Sequence, residues 1–344
     1  MYHFDSDYME GAHPAILERL TAINFDKHDG YGCDYICDSA RARIREACGA
    51  PGAEVHLLTG GTQTNATMIK ALLRPFEGAV AADTGHINIH EAGAVEATGH
   101  KVLPLPHTDG KLCAETVARY IDDFRADGNR DHMVWPGMVY ISQPTEYGTL
   151  YTLDELEALS RVCRSRSIPL YMDGARLGYA LAAPACDMTL RDIAHLCAIF
   201  YIGGTKCGAL LGEAVVIPRA GLIPHLFTTI KQQGALLAKG WVLGVQFDTL
   251  FTDGLYLDIA RNAIDTAARL ADGLAAAGFR TAFQPIPNQI FLRLDPQSLQ
   301  TLSAVATFSP WEKLADGTQI VRLATSWATQ MEEIEAFLAE LGRK

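Results

Sequence analysis

A lysine at the end of a buried strand is the sharpest chemical signal in the chain. In Ile199-Phe-Tyr-Ile-Gly-Gly-Thr-Lys206 an apolar strand runs into a glycine-rich turn that ends in an amine. Desolvation lowers the pKa of an ammonium, and the neutral amine is the form that condenses with an aldehyde to a Schiff base. Gly-Gly-Thr-Lys alone fits a surface loop as well, so its neighbours matter. Thirty-three residues upstream, the apolar run 168–172 delivers Asp173, followed by Gly-Ala-Arg176. Such strand ends face the ligand crevice of an open α/β sheet. A carboxylate there can hold the ring nitrogen of a pyridine cofactor protonated, or simply cap the helix that follows.

Further upstream, Leu57-Leu-Thr-Gly60-Gly61-Thr62-Gln63-Thr-Asn65 opens a helix with small, donor-rich residues. Free backbone N–H groups at a positive helix end suit a phosphate, although the spacing matches neither a Walker loop nor the dinucleotide fingerprint. In Gly85-His86-Ile-Asn-Ile-His90-Glu91 two histidines stand four apart and would share a helix face. They could bind a metal, but the order departs from the zincin motif and no third ligand is evident, so no metal is expected. A flat imidazole at His86 could instead cover an aromatic cofactor. Arg322, among apolar residues of a C-terminal strand, could clamp a carboxylate with its planar fork, as could Arg176. A surface-facing arginine is the plainer reading of each.

These residues need a scaffold, and the apolar pattern supplies one. Short apolar runs at 79–83, 101–105, 138–142, 168–172, 198–202 and 214–217 read as strands alternating with helical periods such as 152–166. That alternation predicts a mostly parallel central sheet with helices on both faces, an α/β fold. After Pro218 two long helices are expected, over 222–250 and 255–277, the second ending at Gly278. Strands at 279–283, 289–294 and 319–324 and a closing helix over 330–341 then predict a smaller α+β domain. We divide the chain into 1–254, an N-terminal segment with the large domain, and 255–344. With 29 basic and 40 acidic residues among 344, the net charge of −11 disfavours nucleic acid and anionic lipid as partners. Eight scattered cysteines are too sparse for a disulfide scaffold and suit a reducing cytoplasm. The first residues hold no apolar run, and no stretch approaches the ~20 apolar residues of a membrane span, so neither a targeting peptide nor a membrane partner is expected.

Taken in order, Ser6-Asp7, Tyr31-Gly32 with Asp34, Gly60-Gly61-Thr62-Gln63, His86 with Glu91-Ala-Gly93, Asp173-Gly-Ala-Arg176, Thr205-Lys206 and Arg322 resemble the threonine aldolase and β-eliminating lyase family of fold-type I pyridoxal phosphate enzymes. The resemblance runs nearly the length of the chain. It implies pyridoxal 5'-phosphate as cofactor, Lys206 as its Schiff-base lysine, Asp173 at the ring nitrogen and His86 against the ring face. Gly60, Gly61, Thr62 and Gln63 would hold the phosphate; Ser6, Arg176 and Arg322 would grip a substrate carboxylate. Family members are homotetramers with shared active sites, which implies a homo-oligomer, dimer or tetramer, with Tyr31 reaching across a subunit boundary. Three stations depart from the pattern. Glu146 follows Thr145 where many members have histidine, Lys231 stands where an arginine reaches a neighbour's phosphate, and His90 replaces an aromatic residue.

The expected reaction is retro-aldol cleavage of a β-hydroxy-α-amino acid of the threonine, allo-threonine or phenylserine type to glycine and an aldehyde. His86, His90 and Glu146 are the candidate bases. Alternatives with the same cofactor are β-elimination, racemisation or transamination; more distant ones are a metal hydrolase on His86 and His90, or a binder of the cofactor without catalysis.

Overall fold

The apolar runs of the first two-thirds of the chain assemble into one seven-stranded sheet. In the computed structural model, which describes residues 1–284 and 286–343, a short β1 (Tyr2–His3) precedes β2 (Glu54–Leu58), β3 (Glu77–Ala82), β4 (Val102–Leu105), β5 (Trp135–Ser142), β6 (Leu170–Asp173), β7 (Ile199–Gly203) and β8 (Glu213–Ile217). Their order is β2-β8-β7-β6-β5-β3-β4. From β7 to β4 the pairing is parallel, while β8 runs antiparallel to both β7 and β2. Every residue of β6, β7 and β8 is buried, so both faces are covered and the strands read as continuous apolar runs. The pleat sorts them nonetheless. Met172, Phe200, Ile202 and Val216 pack into one core, and Tyr140, Tyr171, Tyr201 and Val215 into the other.

The flanking helices start where local chemistry lets them. Leu153–Ser165 opens with a capping box between Thr152 and Glu155 and buries Leu156, Leu159 and Cys163. Asp34 caps Tyr35–Ala47, its Oδ1 accepting from the Ile36 and Cys37 N–H groups. The expected helix over 222–250 is two, Leu226–Gln232 and Trp241–Leu250. Gly234 between them takes a left-handed φ of +67°, and Gly240 lies so close to Gly32 that a Cβ would come within 2.4 Å of its nitrogen.

The second unit contributes β9 (Arg280–Thr281), β10 (Gln289–Leu294), β11 (Ala306–Thr307), β12 (Ser309–Lys313) and β13 (Gln319–Ala324), of which β12-β13-β10-β9 form an antiparallel sheet. The strand expected over 279–283 is thus only two residues long, and β12 was not anticipated. Helix Leu255–Ala276 serves both units. Tyr256, Ile259 and Ala263 join the core of the large sheet, while Leu270 and Leu274 pack with Ile290, Leu292, Val321 and Phe337. The chain's first residues also belong to this second core: β1 pairs with β11, and Phe4 sits edge-on to Phe337 at 5.1 Å. Residues 5–8 are thereby led toward the end of the large sheet, where the Asp7 side chain meets Arg176.

Candidate active site

The exits of β6 and β7 approach each other too closely for any side chain. A Cβ on Gly174 would lie 1.9 Å from the Tyr201 carbonyl oxygen, one on Gly203 2.2 Å from that of Ala175, and the Gly203 N–H donates to the Gly174 carbonyl at 2.9 Å. The two glycines thus draw Asp173 and Lys206 to one cavity of about 280 Å³. Gly60, Gly61, Thr62, His86, Glu146 and Arg176 also line it, as do Tyr8, Glu91, Tyr201 and Glu213. A larger groove of about 940 Å³ along Arg74, Cys163, Arg164, His195 and Arg219 contains none of the residues singled out from the sequence.

Lys206 is half-buried and borders the open cavity. Burial, reinforced by the Arg176 charge and opposed by Asp7, Asp173 and Glu213, lowers its pKa to about 8. A usable fraction is therefore neutral near physiological pH. Asp173 is buried at the carboxyl end of β6, and each of its oxygens accepts two hydrogen bonds. Oδ1 takes the Tyr201 hydroxyl at 2.5 Å and the Ala175 N–H at 3.0 Å; Oδ2 takes the Tyr140 hydroxyl at 2.6 Å and Asn65 Nδ2 at 2.9 Å. Burial alone would raise its pKa, but His86 and these donors outweigh it and hold the carboxyl below its usual value.

His86 opens the short helix His86–Ile89, and its Nδ1 lies 2.7 Å from Glu91 Oε1. A proton on Nδ1 donated to that carboxylate leaves Nε2 as the acceptor nitrogen. Asn65 Nδ2 also donates to Glu91 Oε1 at 2.7 Å, which links His86 through Glu91 and Asn65 to Asp173. Glu146 Oε1 accepts from Ser142 Oγ at 2.7 Å and from the His86 N–H at 2.9 Å, and burial raises its pKa.

Helix Gly61–Leu72 begins at Gly60 with no side-chain cap. Its first turn therefore presents unsatisfied N–H groups to the cavity at Gly61 and Thr62. A Cβ on Gly61 would meet the Tyr201 hydroxyl at 3.2 Å, so glycine keeps the approach open. Gln63 does not border the cavity; the Thr59 hydroxyl donates to its side-chain oxygen.

Both arginines lie beside residues 5–8. Arg176 donates from Nε and Nη2 to the two oxygens of Asp7, at 2.6 and 3.0 Å. Arg322 donates from one Nη2 to the Asp5 carbonyl and to Ser309 Oγ, each at 3.2 Å, while its buried Nε has no partner. Its guanidinium sits 5.6 Å from the ring centroid of Trp311, whose ring is in turn 5.7 Å from that of His90. Burial, then the Arg176 charge, lower the Arg322 pKa. A carboxylate ligand would relieve that clustering of positive charge and satisfy the orphaned nitrogen. Ser6 lies in the same segment, but neither it nor Arg322 nor His90 borders the cavity. Tyr31 and Lys231 stand apart from it; the Lys231 amine lies 4.3 Å from the Tyr31 ring centroid.

Sequence reading did not assign roles to Asp7, Asn65, Glu91, Tyr140, Tyr201 or Glu213. Tyr140, Tyr171 and Tyr201 in buried apolar strands were the available signal, since a buried hydroxyl needs a partner and Asp173 supplies it for Tyr140 and Tyr201. Among the described residues no group of three His, Cys, Asp or Glu is arranged to hold a metal ion, and no helix is long and apolar enough to cross a membrane.

An amine near neutrality, an anchored carboxylate and an uncapped helix start around one cavity fit the aldehyde, ring nitrogen and phosphate of pyridoxal phosphate. Comparison with known proteins points the same way. Residues 3–340 match the family described as Beta-eliminating lyase. The chain is 27% identical to the low specificity L-threonine aldolase of Pseudomonas aeruginosa, over 98% of this chain and 96% of that one. It is 44% identical to a threonine aldolase of Leishmania major of known structure, with a TM-score of 0.96 over 100% and 99% of the two chains. An aspartate aminotransferase of Thermus thermophilus, 17% identical, shares the fold at a TM-score of 0.73 over 100% of this chain and 91% of its own.

Proposed function

This chain belongs to the β-eliminating lyase family and is a pyridoxal phosphate-dependent lyase, and on that footing we propose that it cleaves a β-hydroxy-α-amino acid of the threonine, allo-threonine or phenylserine type to glycine and an aldehyde. The observation that carries the reading is the single cavity shared by Lys206, Asp173 and the start of helix Gly61–Leu72. When bound, pyridoxal phosphate supplies an electron sink for the pair left at Cα when the Cα–Cβ bond breaks.

The protein's own part is binding, orientation and proton control. Lys206 offers a neutral amine for the aldehyde. Asp173, kept anionic by its four donors, retains the proton on the ring nitrogen. The helix start at Gly60, Gly61 and Thr62 would hold the phosphate through its N–H groups, and His86 would cover the ring. Arg322 and Arg176, with Ser6 in the segment that meets both of them through Asp5 and Asp7, orient the substrate carboxylate. That grip sets which bond at Cα stands perpendicular to the ring, and orientation of this kind contributes several kcal/mol, on the order of 7 or more in favourable cases. Glu146 is the base we favour for the β-hydroxyl proton. It borders the cavity, and burial raises its pKa, which makes its carboxylate a stronger base. His86 Nε2 and His90 are the other candidates.

Tyr31 and Lys231 do not border this chain's own cavity, and they lie near the exposed apolar residues Tyr35 and Phe227 in sequence. We assign them to the site of a neighbouring subunit in a homo-oligomer. Product analysis tests the reaction: threonine or phenylserine gives glycine and an aldehyde if the reading holds, whereas pyruvate and ammonia from serine, with no glycine from either substrate, would replace it with β-elimination.

A further inference from the structure

Helix Gly61–Leu72 carries a polar amide at a position that faces the protein interior. Asn65 stands four residues after Gly61, so the two share a helix face, and it is wholly buried. Asparagine inside a helix costs stability relative to alanine, and a buried amide costs more unless its groups are bonded. Here both ends are. Nδ2 donates to Glu91 Oε1 at 2.7 Å and to Asp173 Oδ2 at 2.9 Å, and Oδ1 accepts from the Tyr171 hydroxyl at 2.9 Å. Burial and the charges of Asp173 and Glu91 drive the Tyr171 pKa upward, so that hydroxyl keeps its proton and donates it. The donor fixes which way the amide faces, with its oxygen toward Tyr171 and its two hydrogens toward the carboxylates.

Two buried carboxylates thus share one nitrogen. Like charges at close quarters normally force one carboxyl to take up a proton. Neither can do so here without loss: Glu91 Oε1 also faces His86 Nδ1 at 2.7 Å and holds its proton there, and Asp173 must stay anionic to keep a proton on a pyridine nitrogen. We propose that Asn65 is the positioning residue of this site: its single amide nitrogen, donating to both carboxylates, holds Asp173 and Glu91 as anions side by side, and so fixes together the partner of the cofactor's ring nitrogen and the tautomer of His86. The inference rests on the reading that Asp173 meets the ring nitrogen and His86 the ring face.

The neighbouring donors do not duplicate this bridge. The Tyr140 and Tyr201 hydroxyls and the Ala175 N–H are bonded to Asp173 and not to Glu91, and Glu91 Oε2, buried as well, has no partner among the described residues. The charged groups that act on or with Asp173 are His86, Lys206, Glu146 and Glu213. All four come from other elements, so a substitution at Asn65 leaves them in place. The helix that offers its uncapped start to the phosphate at Gly61 therefore also orders, one turn later, the two carboxylates that serve the ring.

The test follows the absorbance of the full chain loaded with pyridoxal phosphate against pH, for the wild type, Asn65→Ala, Asn65→Leu, Glu91→Gln, the Asn65→Ala/Glu91→Gln double variant and Asp173→Asn. Losing the Asn65 donor raises the Asp173 pKa, so on acidification its carboxylate is lost at higher pH and the acid-side transition should move up. Alanine leaves space and leucine fills it, so a shift shared by the two comes from the lost donor. Glu91→Gln keeps the native shape and leaves Asn65 in place; with one of two facing anions gone, the transition should move down, a result that does not depend on how the Asn65 variants fold. In that background Asn65→Ala should shift the transition less than it does in the wild type, whereas a side chain that only filled space would shift both alike. A transition that stays put in both Asn65 variants or in Glu91→Gln, or equal Asn65→Ala shifts in the two backgrounds, overturns the proposal. A wild-type transition unchanged in Asp173→Asn overturns the ring-nitrogen reading instead, and the inference with it.

Discussion

Asp7→Asn removes the charge that holds Arg176, and its cost follows from the geometry. Asp7 is wholly buried and accepts from Arg176 Nε at 2.6 Å, from Arg176 Nη2 at 3.0 Å and from Asn288 Nδ2 at 2.8 Å. Burial opposes its ionisation, but Arg176 and Lys206 overcome that and hold the carboxyl far below the usual range. An amide in its place keeps a single acceptor oxygen and leaves the guanidinium uncompensated near Arg322 and Lys206. Removing one partner of a buried pair costs about 3 to 5 kcal/mol. Arg176 keeps 14% of its side-chain surface exposed, which favours the lower end, about 3 kcal/mol or roughly a hundredfold in the folding equilibrium. The assay is urea unfolding of the cofactor-free wild type, Asp7→Asn, Arg176→Met and the double variant. The double variant should lose less than the sum of the singles by about 1 kcal/mol or more. Strictly additive losses, or an Asp7→Asn chain as stable as the wild type, would refute the argument that the N-terminal segment neutralises Arg176.

Two further substitutions separate binding from cofactor electronics. Arg322→Lys keeps the charge but loses the fork and the free Nε; a charged hydrogen bond is worth about 1.5–3 kcal/mol, so kcat/KM should fall roughly ten- to a hundredfold, mainly through KM. Steady-state kinetics check this, and an unchanged KM would remove Arg322 from the substrate clamp. Tyr201→Phe deletes the 2.5 Å donor to Asp173. The carboxyl pKa should rise, so on acidification the carboxylate is lost at higher pH, and the acid-side transition in the bound cofactor's absorbance should move up with it.

Most of what positions the site was legible because it is local. Lys206 and Asp173 close apolar runs, Gly60 and Gly61 open a helix, and the continuous hydrophobicity of β6 and β7 announces a sheet covered on both faces. What was hidden depends on contacts across long stretches of chain. Asp7 meets Arg176 and Asn288, and Glu91 meets Asn65, only after folding, and neither carries a spacing that marks it. Glu213 begins an ordinary apolar strand, and only the register of β8 on β7 turns it into the cavity. Residues 222–250 failed for a different reason. Their apolar content suits one helix, but close packing of Gly240 on Gly32 fixes the backbone between the two helices that form instead.

The most direct measurement of the whole account is the site of covalent attachment. Protein loaded with pyridoxal phosphate is reduced with borohydride, digested and mapped by mass spectrometry, beside Lys206→Ala treated identically. The account predicts a single stable adduct on Lys206 and none at any position in the variant. An adduct on another lysine such as Lys231, or a wild-type chain that takes up no pyridoxal phosphate, would contradict it.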